Sequence, residues 1–204
     1  LKRFMAEQSP QQCETIYCHL THLPASGLLK LVLTALGEVP KRGKDKLYSQ
    51  LLDRARGSDA TLMLIFDEAH LLSGEALVDL RLLVSSAVEI GPPLKILLVG
   101  QDHIRHTLKR SEYADIVNRI SVRYQLRPLT KEQTRRYIDH QVVQHGGDSK
   151  IFDESVKDLV HDFTAGVPRS INNVAIACLL GATARRSVRI DDEVFHLAAN
   201  EVHW

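Results

Sequence analysis

Aromatic residues make up only 5% of this 204-residue chain, and it carries just three cysteines, Cys13, Cys18 and Cys178. A sparse, odd set of cysteines excludes a disulfide framework and points to a reducing compartment, so a cytoplasmic location is expected. No apolar run reaches the roughly 18 residues that a membrane-spanning helix requires. There is no charged-then-apolar leader either, because Leu1 to Glu7 reads as part of an amphipathic helix. The chain opens on Leu1 without an initiator methionine, and a piece of a longer protein is expected. An excess of one charge is also missing, with Lys+Arg 26 against Asp+Glu 25. That excludes attraction to nucleic acid by net charge alone and leaves room for a local basic face. What remains is ordinary for a globular protein, 44% hydrophobic and 25% charged. The length suits one large domain or a core plus a small one.

The chain has no internal repeat and no low-complexity tract. Residues 1–8 read as a helix end and Glu14 to Leu20 as a strand. Pro24 to Leu36 is an apolar-periodic helix stopped by Gly37. Glu38 to Lys44 is a loop, and Asp45 to Arg56 is amphipathic, with Leu47, Leu51 and Leu52 on one face. An apolar run then ends at Asp67. Gly74 to Val88 is helical, Gly91-Pro92-Pro93 turns, and Leu94 to Gly100 is a second buried strand. Two short helices follow, then a short strand over Ile120 to Tyr124. After Leu126 the periodicity becomes helical throughout, over 130–146, 153–164, 168–185 and 191–202. Thr130 and Asp153 are the expected N-caps, and Gly146-Gly147 is a stop. Buried apolar strands alternating with helices predict an α/β fold, a three-layer αβα core around a parallel sheet over residues 1–127, with an all-helical lid over 128–204.

The segment Leu62-Met63-Leu64-Ile65-Phe66-Asp67-Glu68-Ala69-His70 carries the most chemistry. An apolar strand that ends abruptly in two carboxylates is the pattern of the Walker B element of P-loop NTPases. There the first acid, here Asp67, holds Mg²⁺, often through water, and the second, Glu68, polarises the attacking water. The plainer alternative is an N-cap followed by a helix-start acid. The Asp67-Glu68-Ala69-His70 tetrapeptide alone does not make a helicase, whose two recombinase-like domains exceed this length. His70 reads as a helix-start residue near the site.

A companion phosphate loop is not found. Gly37-Glu38-Val39-Pro40-Lys41-Arg42-Gly43-Lys44-Asp45 has five residues between its glycines where the phosphate loop has four. Asp45 stands where a Ser or Thr should be, and a helix rather than a strand precedes it, so backbone N–H groups are not aimed at phosphate. Gln101, after the second buried strand, can orient an attacking water or cap the next helix. Arg119 and Arg123 lie around the last short strand, with Asp115 to Ile120 ending the helix before it. Either can act as an arginine finger toward a neighbouring subunit's nucleotide or make a surface salt bridge, Arg119 being the better placed. In Gly166-Val167-Pro168-Arg169, the proline opens a helix where its missing N–H costs nothing. Arg169 is thereby fixed in a first turn, from which it can reach a γ-phosphate or simply face solvent. Cys13, Cys18, His19 and His22 cluster without any zinc spacing, and no metal is expected of them.

Taken as an ordered set, these residues resemble the AAA+ ATPases of the general secretion pathway A (ExeA) type, whose relatives include transposition helper ATPases of the TniB and TnsC kind. The resemblance rests on Leu64 to Leu72, Leu97 to Gln101, Asn118-Arg119-Ile120, Leu126 to Thr130 with Tyr137-Ile138, and Gly166 to Asn173. It covers about residues 62 to 180, and the family commonly has Gln where this chain has His70. It implies ATP and Mg²⁺ as cofactors, Asp67 and Arg169 as nucleotide contacts, and Glu68, Gln101, Arg119 and Arg169 as catalytic residues. It further implies that the Walker A loop precedes Leu1, so residues 1–204 alone bind ATP weakly or not at all. The implied partners are further copies of the chain, in a ring or filament, and either duplex DNA with a transposase or envelope proteins of secretion. The lack of a membrane span or peptidoglycan-binding domain favours the DNA reading. Lys41 to Lys44 and Arg185 to Arg189 are basic segments that can touch phosphates or stay solvated. A non-hydrolysing scaffold on the same fold is the remaining alternative.

Overall fold

The computed structural model describes residues 1–19, 22–90 and 94–202, with backbone alone for residues 87–90. The expected turn at Gly91-Pro92-Pro93 and Leu20, the end of the first expected strand, lie outside the described residues. The chain divides into two compact units, Leu1–Arg123 and Tyr124–Trp204.

In the first unit a short helix α1 (Lys2–Glu7) leads into β1 (Cys13–Cys18). Helices α2 (Ala25–Ala35) and α3 (Lys44–Arg56) precede β2 (Thr61–Phe66), and α4 (Gly74–Ile90) precedes β3 (Leu94–Leu98). The three strands form one parallel sheet in the order β1-β2-β3. Parallel neighbours need crossover connections, which the intervening helices supply. The central strand reads as an uninterrupted apolar run because it is covered: Leu62, Leu64, Ile65 and Phe66 are all buried. Leu62, Leu64 and Phe66 share a face and pack with Leu28 and Leu29 of α2, Leu47 and Leu51 of α3, and Leu77 of α4. Each such side chain is worth about 1.5–3 kcal/mol on burial.

Helix α2 ends where Gly37 turns left-handed, at φ 78°. The N–H of Glu38 bonds the Leu33 carbonyl at 2.9 Å and that of Gly37 the Thr34 carbonyl at 3.0 Å, a Schellman closure. The following loop is tied to α3 by Gln50, which donates to the Val39 carbonyl at 3.0 Å and accepts from the Lys41 N–H at 3.0 Å. Lys44 is bonded to Glu75 at 2.7 Å and Asp79 at 2.8 Å on α4, so the one lysine of the loop that opens a helix is committed to internal carboxylates. Two further helices, α5 (Asp102–Leu108) and α6 (Ala114–Arg119), close the unit.

The strand expected over Ile120 to Tyr124 does not form; those residues carry no regular structure, and Val122 and Tyr124 are more than 80% exposed. Alternation marks what a segment could pair as; the outer edges of β1 and β3 carry no strand partner among the described residues, yet Ile120 to Tyr124 pairs with neither. Arg123 instead donates to the Val117 carbonyl at 2.9 Å, closing the end of α6.

The second unit holds α7 (Lys131–Gln144), α8 (Glu154–Thr164), α9 (Pro168–Ala184) and α10 (Asp192–Val202). They pack around Ile138, Phe152, Val160, Val174, Cys178 and Phe195. Thr130 accepts from the Gln133 N–H while the Gln133 side chain accepts from the Thr130 N–H, a complete capping box. Asp153 sits at the N-cap of α8 but its side chain makes no cap bond. For α10 that bond comes from Asp191, which accepts from the Val194 N–H at 3.0 Å.

Candidate nucleotide site

Parallel strands leave their functional groups at their carboxyl ends, where the chain turns toward a crossover. At the end of β2 the ladder continues one step past the strand. The Asp67 N–H bonds the Cys18 carbonyl at 2.9 Å, and the Val99 N–H bonds the Phe66 carbonyl at 2.9 Å. Asp67 is thus held between the ends of β1 and β3. Its carboxylate is bonded on both oxygens: Oδ1 accepts from the Glu68 N–H at 2.9 Å, and Oδ2 accepts from the Tyr17 hydroxyl at 2.6 Å. That hydrogen bond to Asp67 pushes the Tyr17 phenol above its ordinary range.

Glu68 adopts left-handed backbone, φ 50° and ψ 35°, and is exposed. A non-glycine residue in that region costs about 1 kcal/mol or more and marks a position held by its surroundings. The chain then makes one 3-10 turn, Ala69–Leu71, anchored by the Ala69 N–H on the Val99 carbonyl at 2.8 Å. Gly100 approaches this turn so closely that a Cβ there would lie 3.0 Å from the His70 nitrogen and 3.2 Å from that of Ala69. Glycine is what lets the end of β3 close over the acid turn.

His70 lies within this turn. Its Nδ1 stands 3.4 Å from Glu68 Oε2 and 3.5 Å from the backbone N–H of Gln101. Gln101 is the N-cap residue of α5, but its side chain makes no cap bond and is exposed beside the acid turn. Asp67, Glu68, His70 and Gln101 are therefore brought together at the carboxyl ends of β2 and β3.

The two arginines are carried by other elements. Arg119 is exposed in the last turn of α6 in the first unit. Arg169 is exposed in the first turn of α9 in the second. Its setting explains the motif around it. Ala165 and Gly166 are both left-handed, at φ 48° and 74°. The Gly166 carbonyl accepts from the Leu129 N–H at 2.8 Å, and a Cβ on Gly166 would collide with the Leu129 carbonyl. Pro168 then occupies the first turn of α9.

Tyr17 escapes a reading of the sequence for acids and arginines. A signal for it exists. The parallel register pairs Tyr17 with Ile65, so its side chain shares a face with Ile65 and with Asp67 two residues on. Cys18 and Cys178 are buried, and burial pushes each thiol up to about 11, which leaves both as inert packing groups.

Residues 1–108 match the AAA domain family. Among curated proteins, general secretion pathway protein A of Aeromonas hydrophila is 29% identical over 158 residues, 78% of this chain and 29% of that protein. The chain thus spans less than a third of that relative's length. Among solved structures, the ORC2 protein of Aeropyrum pernix, with ADPNP and ADP, matches with a TM-score of 0.73 at 19% identity, covering 98% of this chain and 55% of that one. The ORC1 protein of Aeropyrum pernix, in complex with DNA, matches with a TM-score of 0.68 at 16% identity, covering 99% and 54%. At such identities these structures establish the fold, the P-loop AAA+ architecture expected from the sequence. With more than half of its residues matched, the chain belongs to the AAA domain family.

Proposed function

We propose that this AAA-family chain is the ATPase part of a cytoplasmic protein that works as a ring or filament, and that its nucleotide state controls duplex DNA and a transposase. The observation that carries the ATPase reading is the pair Asp67 and Glu68 at the carboxyl end of the central parallel strand, closed over by Gly100 and Gln101. Mg²⁺ fits this end of the sheet. Asp67 offers hard oxygen donors that keep lone pairs beyond their two hydrogen bonds. Among the described residues no group of three or more His, Cys, Asp or Glu could hold an ion. Mg²⁺ is usually bound through one or two carboxylates together with phosphates and water.

In this reading ATP would be the substrate, and a Mg²⁺ held by Asp67 through water would supply charge neutralisation to its phosphates. Glu68 takes up the proton of the attacking water, and Gln101 orients that water from the end of β3. Arg119 reaches the nucleotide of a neighbouring copy and Arg169 that of its own, each stabilising charge on the transferring group. The core, to residue 127, holds nucleotide, and the lid, from 128, responds through Arg169.

The DNA reading is supported by the ORC1 structure, a chain of this fold in complex with DNA. A secretion reading, in which the ATPase assists envelope assembly, is supported by the likeness to general secretion pathway protein A. ATP turnover by the full-length protein, with and without duplex DNA, separates them. Stimulation by DNA, lost in Glu68→Gln, is expected. Turnover indifferent to DNA would favour secretion, and no nucleotide binding would leave a non-hydrolysing scaffold. Glu68→Gln itself should slow turnover by about 10²–10⁴-fold, the usual contribution of a general base.

A further inference from the structure

A carboxylate that holds a metal works best when its own orientation is fixed by a hydrogen bond outside the metal's reach. Asp67 has two such bonds of different kinds. The bond from the Glu68 N–H to Oδ1, at 2.9 Å, comes from its own turn and moves with it. The bond from Tyr17 Oη to Oδ2, at 2.6 Å, comes from another strand 50 residues away. That length belongs to the strong, charge-assisted class of hydroxyl–carboxylate bonds.

Tyr17 is itself well held. It lies in β1, paired with Ile65 of β2, and its ring stacks on His19 with centroids 6.3 Å apart and 21° between planes. The ring stays 41% exposed. Packing therefore does not require a tyrosine here; what the position uses is the hydroxyl. Its single proton goes to Asp67, and Oδ2 keeps a second lone pair.

We propose that Tyr17 is a positioning residue for the Mg²⁺-holding carboxylate: its hydroxyl locks the side-chain rotation of Asp67 so that the open lone pairs meet the cation's water shell. This rests on the reading of Asp67 given above. Loss of the hydroxyl frees the carboxylate to rotate on its one remaining bond, and cation affinity falls, while contacts to the nucleotide that do not pass through the cation are untouched.

The test is a Mg²⁺ titration of the binding of a fluorescent ATP analogue to the full-length protein, for the wild type, Tyr17→Phe and Asp67→Ala. Tyr17→Phe should raise the Mg²⁺ midpoint by about tenfold or more, within the range found for such outer partners. Affinity measured in EDTA should stay unchanged. Asp67→Ala should raise the midpoint further, and Tyr17→Phe on top of Asp67→Ala should add nothing. A wild-type midpoint in Tyr17→Phe beside a raised one in Asp67→Ala overturns the role of Tyr17 and leaves the ATPase reading standing. A wild-type midpoint in Asp67→Ala overturns the Asp67 reading and the inference with it. A second readout needs no variant of Tyr17: in protein labelled with ¹³C at the tyrosine Cζ, the Tyr17 resonance should shift on Asp67→Asn. An unmoved resonance contradicts the bond itself.

Discussion

In the second unit polar groups meet at close range. Lys157 reaches Asp139 and Glu154 at 2.6 Å each, and Arg135 grips Asp158 through two bonds of 2.6 Å. At the acid turn after β2, Glu68 is exposed, strained into left-handed backbone, and 3.4 Å from His70. The Gln101 N–H and the Glu68 carboxylate approach the same imidazole nitrogen, one wanting a lone pair and the other a proton. The helices of the second unit turn these charged side chains on one another, whereas the turn after β2 gathers two carboxylates, an imidazole and a left-handed residue at the carboxyl end of the sheet. Locally destabilised geometry of this kind gathers at functional sites.

The largest expected effect falls on the second unit. Gly166→Val places a branched side chain at φ 74° and against the Leu129 carbonyl. It should destabilise the full chain by about 3 kcal/mol or more, read as a fall in urea midpoint. Next comes Lys157→Met. The side chain is 2% exposed, but its partners Asp139 and Glu154 are 37% and 71% exposed, which softens the usual penalty for breaking a buried pair to about 2 kcal/mol. In Lys157 burial alone would depress the ammonium pKa, and the bonds to Asp139 and Glu154 more than reverse it, so its pKa is raised. The stability it brings is present at neutral pH and is lost only as pH climbs through that raised value.

A smaller effect is the acid limb. The hydrogen bond from Arg135 holds Asp158 below the ordinary carboxylate range. A depressed carboxylate adds stability above its unfolded value of about 4 that is lost as pH falls through the folded one. Asp158→Asn should flatten that part of the stability–pH curve, as thermal melts at pH 2 to 5 would record. Smallest and opposite in sign is Glu68→Gly, which relieves the left-handed residue and should stabilise by about 1 kcal/mol. A destabilised Glu68→Gly would break the contrast between the two regions.

Much of this was legible in the residues. The apolar run Leu62 to Phe66 of β2 and the spacing of Leu47, Leu51 and Leu52 report burial directly, because a strand covered on both faces and a helix covered on one leave different patterns. The capping box at Thr130 and Gln133 is equally local. The failures share a cause. Ile120 to Tyr124 alternates like a strand but finds no partner, and Asp153 has the chemistry of a cap without making the bond. In both, composition states a capacity and the tertiary structure decides its use. Tyr17 was missed because its acceptor lies on another strand, which periodicity within one element does not reveal. Of the candidate site, Asp67, Glu68 and Gln101 are gathered at one sheet end, while Arg119 and Arg169 sit exposed on α6 and α9.

The most direct test of the central claim is a single-turnover experiment with radiolabelled ATP on the full-length protein, comparing wild type with Glu68→Gln. The account predicts that Glu68→Gln binds ATP as tightly as wild type but leaves it uncleaved over many wild-type half-lives. Equal cleavage by the two proteins would contradict it.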